Sequence, residues 1–196
     1  MYINGNWANA AADAEFEVLN PATGAVIQSL PDGGAEAARA AIEAAAEAFK
    51  TWRNTTPYQR AEFLMRAYAL MLERQEDLAK VMTAEQGKPL RAAMTEVKYA
   101  SDFLQWFAEE GKRVYGEIIP SARADQRFHV LHQPVGVVAA ITPWNYPISM
   151  ITRKLGPALA AGCTVVLKPA EATPLTAVET FKIFEDAGFP PGVVNL

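Results

Sequence analysis

The sequence predicts an α/β chain organised around a parallel sheet, with helices and short strands preceding it. Three observations carry this. Val135–Ile141 is a short, nearly continuous apolar run rich in β-branched residues, which suits a strand buried on both faces of a parallel sheet. Pro147 can open a helix as its first residue, and Ile148, Ile151, Leu155 and Leu159 give that helix an apolar face before Ala161-Gly162 ends it. Thr164–Leu167 is a second buried strand, stopped by Lys168-Pro169. Both strands end in polar groups, and in open α/β sheets that edge is where ligands bind.

The other elements follow in order. Tyr2–Trp7 and Phe16–Leu19 read as short strands separated by an alanine-rich polar turn. Asn20-Pro21-Ala22-Thr23-Gly24 is a turn and Ala25–Leu30 a third short strand, so Asn4 and Asn20 are turn residues. A helix is predicted over 35–50, with Ala38, Ile42, Ala45 and Phe49 on its apolar side. The next spans 57–84, with Pro57 in its first turn, a stripe of Leu64, Tyr68, Met71 and Leu72, then Leu78 and Val81, and Gly87 as its stop. Glu85-Gln86 reads as a helix end. A third helix covers 90–114, where Val97, Ala100, Leu104 and Phe107 form one stripe, flanked by Phe103 and Trp106. Pro120–Asp125 is a turn, and 127–132 a strand with mixed faces. His129 and His132 lie on opposite faces of that strand, which argues against a shared metal site. Thr173 is predicted to cap a helix over 174–187, and Val193–Leu196 begins a third parallel strand.

The 196 residues, 51% hydrophobic and 20% charged, suffice for one domain with a sizeable core. A net charge of −4 without a basic run gives no footprint for nucleic acid. No apolar stretch approaches the roughly 20 residues of a membrane span. The start lacks the regions of a signal peptide, and a single cysteine excludes an intrachain disulfide and fits a reducing compartment, so the expected location is cytoplasmic.

Two polar clusters converge on the predicted sheet edge: Thr142, Trp144 and Asn145 after the first strand, Lys168 and Glu171 after the second. An ammonium can donate to ribose hydroxyls, and a carboxylate can accept from them. The Asn145 amide can donate to an oxygen that becomes negative during a reaction. The same residues would also serve as a turn and a solvated strand end, and the pattern alone leaves both readings open.

The residues themselves resemble the aldehyde dehydrogenase superfamily, above all Pro143-Trp144-Asn145-Tyr146-Pro147 and Lys168-Pro169-Ala170-Glu171. The run Ile151-Thr152-Arg153-Lys154-Leu155-Gly156-Pro157 resembles its succinate-semialdehyde dehydrogenase branch. The resemblance also takes in Ile3-Asn4-Gly5-Asn6-Trp7, Asn20-Pro21-Ala22-Thr23-Gly24 and Glu85-Gln86-Gly87-Lys88-Pro89-Leu90. It implies part of a Rossmann-like cofactor domain: strands and helices over 1–119, an oligomerisation-arm strand over 120–133, and the first half of the NAD-binding unit over 134–196. In this family a cysteine thiolate attacks the aldehyde, hydride leaves to nicotinamide, and a glutamate-activated water releases the acid. The resemblance places that cysteine and glutamate downstream of position 196. Cys163, between a helix end and a buried strand, is not their substitute.

By the same resemblance Asn145 is the side-chain donor of the oxyanion hole. Thr142, Pro143, Trp144, Lys168 and Glu171 bind the cofactor, and Tyr146, Met150 and Arg153 line the aldehyde tunnel, one wall of which is the helix over 90–114. The acidic Glu171 favours NAD, with NADP possible. Arg153 suits a substrate ending in a carboxylate, such as succinate or glutarate semialdehyde; pairing with a surface acid is the competing reading. The resemblance also implies a homo-oligomer, a small-molecule partner and no metal. The chain alone is expected to be inactive; the alternative class is a non-catalytic fragment that associates with other chains or binds nucleotide weakly.

Overall fold

The computed structural model describes residues 1–9 and 14–196. At the amino terminus β1 (Tyr2–Ile3) and β2 (Asn6–Trp7) form a tight antiparallel hairpin, where the sequence suggested one strand. Asn4 and Gly5 explain it: both have positive φ, 51° and 78°, the backbone that a two-residue turn needs to follow strand twist. β3 (Glu15–Leu19) pairs with β4 (Val26–Pro31) across a turn in which Asn20 Oδ1 accepts from the Ala22 N–H at 2.9 Å. The alanine-rich turn expected between the two hairpins falls largely on 10–13, outside the described residues.

Helix α1 (Gly34–Trp52) keeps Ala45 buried and Phe49 half-buried, as predicted, but its buried stripe otherwise shifts to Ala41 and Trp52. Ala41, Ala45 and Trp52 are buried, whereas Ala38 and Ile42 are exposed. Small side chains let the helix backbone reach the sheet: the Thr164 hydroxyl donates to the Ala45 carbonyl at 2.9 Å. A Cβ on Gly192 would sit 2.6 Å from the Ala44 carbonyl oxygen. Close approach, not side-chain hydrophobicity, selects this face.

The single helix expected over 57–84 is two, α2 (Pro57–Glu73) and α3 (Gln75–Gln86). Thr56 and Gln59 form a capping box at the start of α2. The break falls at Arg74, which pairs with Asp186 at 2.6 Å, while the Gln75 amide donates to the Met94 carbonyl at 2.8 Å. Gly87, left-handed at φ 79°, stops α3 as expected. α4 (Leu90–Glu110) continues as a single 3₁₀ turn to Arg113. Leu64, Met71, Val97, Ala100 and Leu104 are fully buried between these helices, as their spacing predicted.

β5 (Glu117–Pro120) and β6 (Arg127–Val130) form an exposed antiparallel hairpin. The sequence reading missed β5 and carried β6 two residues too far; His132 lies beyond the strand, its Nδ1 against the Tyr115 carbonyl.

The central unit is β7 (Val137–Ile141), α5 (Pro147–Ala160), β8 (Thr164–Lys168), α6 (Leu175–Asp186) and β9 (Val194–Asn195), a parallel sheet in the order β7-β8-β9. Ile148, Ile151, Leu155 and Leu159 of α5 are buried, as predicted. The amino-terminal hairpin covers the β9 edge, where Tyr2 and Leu196 exchange N–H···O bonds of 3.0 and 2.7 Å. β7 departs from expectation: it begins at Val137 and is an edge strand. Among the described residues no strand pairs with its outer side; Val135, before the strand, is 89% and Ile141, at its end, 70% exposed. Thr173 does not cap α6 either; its hydroxyl has no partner, and the carboxylate of Glu85 takes that place. Among the described residues no helix is long and apolar enough to cross a membrane.

Candidate active site

β7 and β8 end in register, Ile141 opposite Lys168, so the polar residues that follow both strands emerge at one sheet edge. The Thr142 N–H donates to the Lys168 carbonyl at 3.1 Å and ties the two exits together. Thr142 is buried, while Pro143, Trp144, Asn145 and Tyr146 are exposed on the loop into α5. Pro143 prevents the strand from continuing its ladder, and Pro147 starts α5 where its missing N–H is harmless.

Beyond β8, Lys168 and Glu171 form an exposed ion pair. The hydrogen bond from Lys168, chiefly, holds the Glu171 carboxyl below its ordinary value, so it is charged at neutral pH. Lys168–Glu171 form one wall of a cleft of about 520 Å³ whose opposite side includes Phe16, Leu30 and the start of α1 at Gly33-Gly34. An ammonium and a carboxylate at the rim of an apolar cleft of this size fit the hydroxyls and body of a nucleotide. Thr142, Pro143 and Trp144 do not line this cleft; they join its Lys168 wall only through the backbone bond from Thr142.

Asn145, Tyr146, Met150 and Arg153 follow one another from the loop to midway along α5. Arg153 is exposed and forms no ion pair among the described residues, which removes the surface-pair reading. Its guanidinium lies 5.8 Å from the centre of the Phe103 ring, with one nitrogen 3.9 Å from the Met150 sulfur. Phe103 in turn lines a groove of about 260 Å³ along α4 with Tyr99, Asp102, Trp106 and Phe107, in which the Asp102 carboxylate is paired with Lys98. A guanidinium beside the Phe103 ring, without an ion-pair partner among the described residues, offers an anionic group a partner. Cys163 is 3% exposed between α5 and β8, closed to a substrate.

Sequence reasoning missed the residues behind the Asn145 loop. Gln86 and Lys88 both donate to the Asn145 carbonyl, at 3.2 and 3.1 Å. Lys88 also pairs with Glu96 and lies 4.2 Å from the centre of the Tyr146 ring. The one available signal was Glu96, a charge on the otherwise apolar side of α4 next to Val97 and Ala100.

The model of the aldehyde dehydrogenase family matches residues 7–196, and the chain belongs to that family. It is 53% identical over 194 residues to the succinate-semialdehyde dehydrogenase [NADP(+)] GabD of Escherichia coli (strain K12), covering 99% of this chain and 40% of that protein. It is 52% identical over 195 residues to the glutarate-semialdehyde dehydrogenase of Pseudomonas putida, covering 100% of this chain and 41% of the relative. Its fold superposes with a TM-score of 0.96 on the betaine aldehyde dehydrogenase of Staphylococcus aureus in complex with NAD+, at 36% identity, covering 100% of this chain and 40% of that one. The chain thus spans about 40% of the length of these relatives.

Proposed function

We propose that this chain is the amino-terminal part of an enzyme that oxidises a carboxylate-bearing aldehyde, succinate semialdehyde to succinate, with NAD as cofactor and NADP as a possible substitute. The observation that carries the reading is the shared exit of β7 and β8. It sets the loop of Asn145 and the pair Lys168–Glu171 at one edge of a sheet in a chain of the aldehyde dehydrogenase family.

Each residue has a task in this reading. Lys168 and Glu171 would hold the adenosine ribose, the ammonium donating and the carboxylate accepting. Thr142, Pro143 and Trp144 would border the nicotinamide side, largely through backbone. When bound, the nucleotide supplies the hydride acceptor. Asn145 would donate its side-chain amide to the aldehyde oxygen as that atom gains charge; loss of such a donor costs on the order of 100-fold in rate. Tyr146 and Met150 would line the approach of the aldehyde, and Arg153 would take its carboxylate. Cys163 is too buried to act as the nucleophile, so nucleophile and general base would come from residues outside this sequence, and the chain alone would be inactive.

For nucleotide choice, the charge on Glu171 disfavours a ribose phosphate, but its pairing with Lys168 leaves a cation beside it that could meet one. NAD is therefore the proposed cofactor, with NADP tolerated. The chain divides, in this reading, into cofactor-domain strands and helices over 1–119, an arm over 120–133 that joins subunits of a homo-oligomer, and the first half of the nucleotide unit over 134–196. In this reading the strand of the arm, β6, has β5 (Glu117–Pro120) as its antiparallel partner.

Calorimetric titration of the chain with NAD, beside Lys168→Ala, tests the nucleotide half of the reading. Saturable binding that the substitution weakens supports it. Binding that is indifferent to Lys168 removes that residue from the site.

A further inference from the structure

We infer that Lys88 is a positioning residue for Asn145: it grips the loop backbone from behind, with Gln86 beside it and Glu96 beneath it. The inference rests on the role proposed above for the Asn145 side chain.

A side-chain amide stabilises a developing charge only if it is already aimed when the charge appears. The loop that carries Asn145 has no regular structure to aim it, and the Asn145 amide has no partner among the described hydrogen bonds. Its backbone carbonyl, by contrast, accepts from two side chains, Lys88 Nζ at 3.1 Å and Gln86 Nε2 at 3.2 Å. Both donors flank Gly87, whose left-handed backbone ends α3 and turns the chain so that they face the loop together.

Lys88 is itself immobilised. Its ammonium pairs with Glu96, the two side chains 13% and 2% exposed, and sits over the Tyr146 ring at 4.2 Å. The other oxygen of Glu96 accepts from the N–H groups of Ile148 and Ser149 at 3.2 and 3.3 Å, the first turn of α5. One connected set of charges therefore holds the carbonyl of Asn145, the ring of Tyr146 and the two amides that follow Pro147. A buried ion pair contributes little net stability compared with an apolar pair of the same size. What this one provides is a fixed backbone on both sides of a residue whose side chain must point one way.

The test is a double-substitution cycle in a full-length enzyme carrying this segment, read as kcat with the semialdehyde and KM for the nucleotide. Lys88→Met is expected to lower kcat by roughly 10- to 100-fold, the scale of a small misplacement of a reacting group. KM for the nucleotide should stay unchanged, since Lys168 is untouched. Lys88→Arg should restore most of the rate. In an Asn145→Ala background Lys88→Met should add almost nothing, because there is no amide left to aim. If the two losses instead multiply, Lys88 acts only on the fold and the inference is overturned. If Asn145→Ala alone leaves kcat intact, the role proposed for Asn145 is what fails. Gln86→Met covers the case in which Lys88→Met does not fold. It removes one donor to the same carbonyl and leaves the ion pair in place, and the buried Gln86 Oε1 has no partner to lose. A smaller loss of kcat, again absent in the Asn145→Ala background, supports the inference; no loss overturns it.

Discussion

The carboxylate of Glu85, near the end of α3, accepts from the backbone N–H of Thr176 at 2.8 Å and pairs with the hydroxyl of the same residue, ninety-one positions away at the start of α6. It also accepts from the Leu175 N–H at 2.7 Å. A buried side chain from another helix thus satisfies amide groups that a local cap would ordinarily serve. Glu96 does the same for α5, so each helix of the parallel unit is capped from the preceding helical layer.

Glu85→Gln should therefore destabilise the fold, by about 1–3 kcal/mol, because an amide offers one acceptor oxygen where the carboxylate offers two. Urea unfolding of the two forms measures this. The pH dependence carries a second signature. Burial, outweighing the bonds from Thr176 and Leu175, raises the Glu85 carboxyl above its ordinary value. The native state then holds this proton more tightly than the unfolded chain. Glu85's titration contributes stability below the ordinary carboxylate range, and that contribution is lost as pH rises through the raised value. Glu85→Gln should flatten the unfolding free energy across that window; an unchanged slope would place the titrating group elsewhere.

Cys163 is buried, with its N–H bonded to the Ala158 carbonyl at 2.9 Å. A thiol reagent should label it only as fast as the fold opens, so adding urea below the unfolding midpoint should speed labelling while added thiolate-favouring pH alone should not bring it to the rate of a free thiol. Cys163→Ala should cost roughly 1 kcal/mol of stability and leave nucleotide binding intact. Rapid labelling in native buffer would contradict the burial.

Among the described residues the outer side of β7 has no strand partner, and it runs beside exposed Ile141, the arrangement that invites strand-to-strand association. The chain by itself should self-associate with rising concentration, and Ile141→Lys should shift sedimentation towards the monomer. If both forms sediment alike at all concentrations, this edge is not what associates.

The sequence showed the strand–helix–strand unit plainly, because α5 repeats its apolar residues at helical spacing and β8 holds the apolar run Val165–Leu167. It marked Asn145, Lys168 and Glu171 only as polar residues following two apolar strands, a pattern that a turn and a solvated strand end would equally give; the roles proposed for them come from the resemblance to the family. What it hid depended on distant parts of the chain. The buried face of α1 is chosen by how near alanine lets its backbone come to β8 and Gly192, not by where Ile42 falls. The α2–α3 break falls at Arg74, whose partner Asp186 lies far along the chain. The caps of α5 and α6 come from Glu96 and Glu85, and the local candidate, Thr173, has no partner. Periodicity reports which side of an element is apolar; it does not report which distant carboxylate reaches its end.

Arg153 gives the sharpest test of substrate class. It is exposed midway along α5, lies beside the Phe103 ring and has no carboxylate partner among the described residues. If it receives the carboxylate of a semialdehyde, Arg153→Ala in a full-length enzyme removes a charge-assisted interaction of about 1.5–3 kcal/mol. That corresponds to a rise of roughly 10- to 100-fold in KM for succinate semialdehyde. An uncharged aldehyde of similar length makes no such contact, so its KM should change little. Arg153→Lys should recover only part of the loss, because an ammonium keeps the charge but not the planar two-nitrogen fit. Steady-state kinetics with the two aldehydes side by side decide the matter. A shift confined to the semialdehyde assigns Arg153 to the substrate's charged end, whereas equal shifts for both would mean that its side chain only shapes the groove beside Phe103.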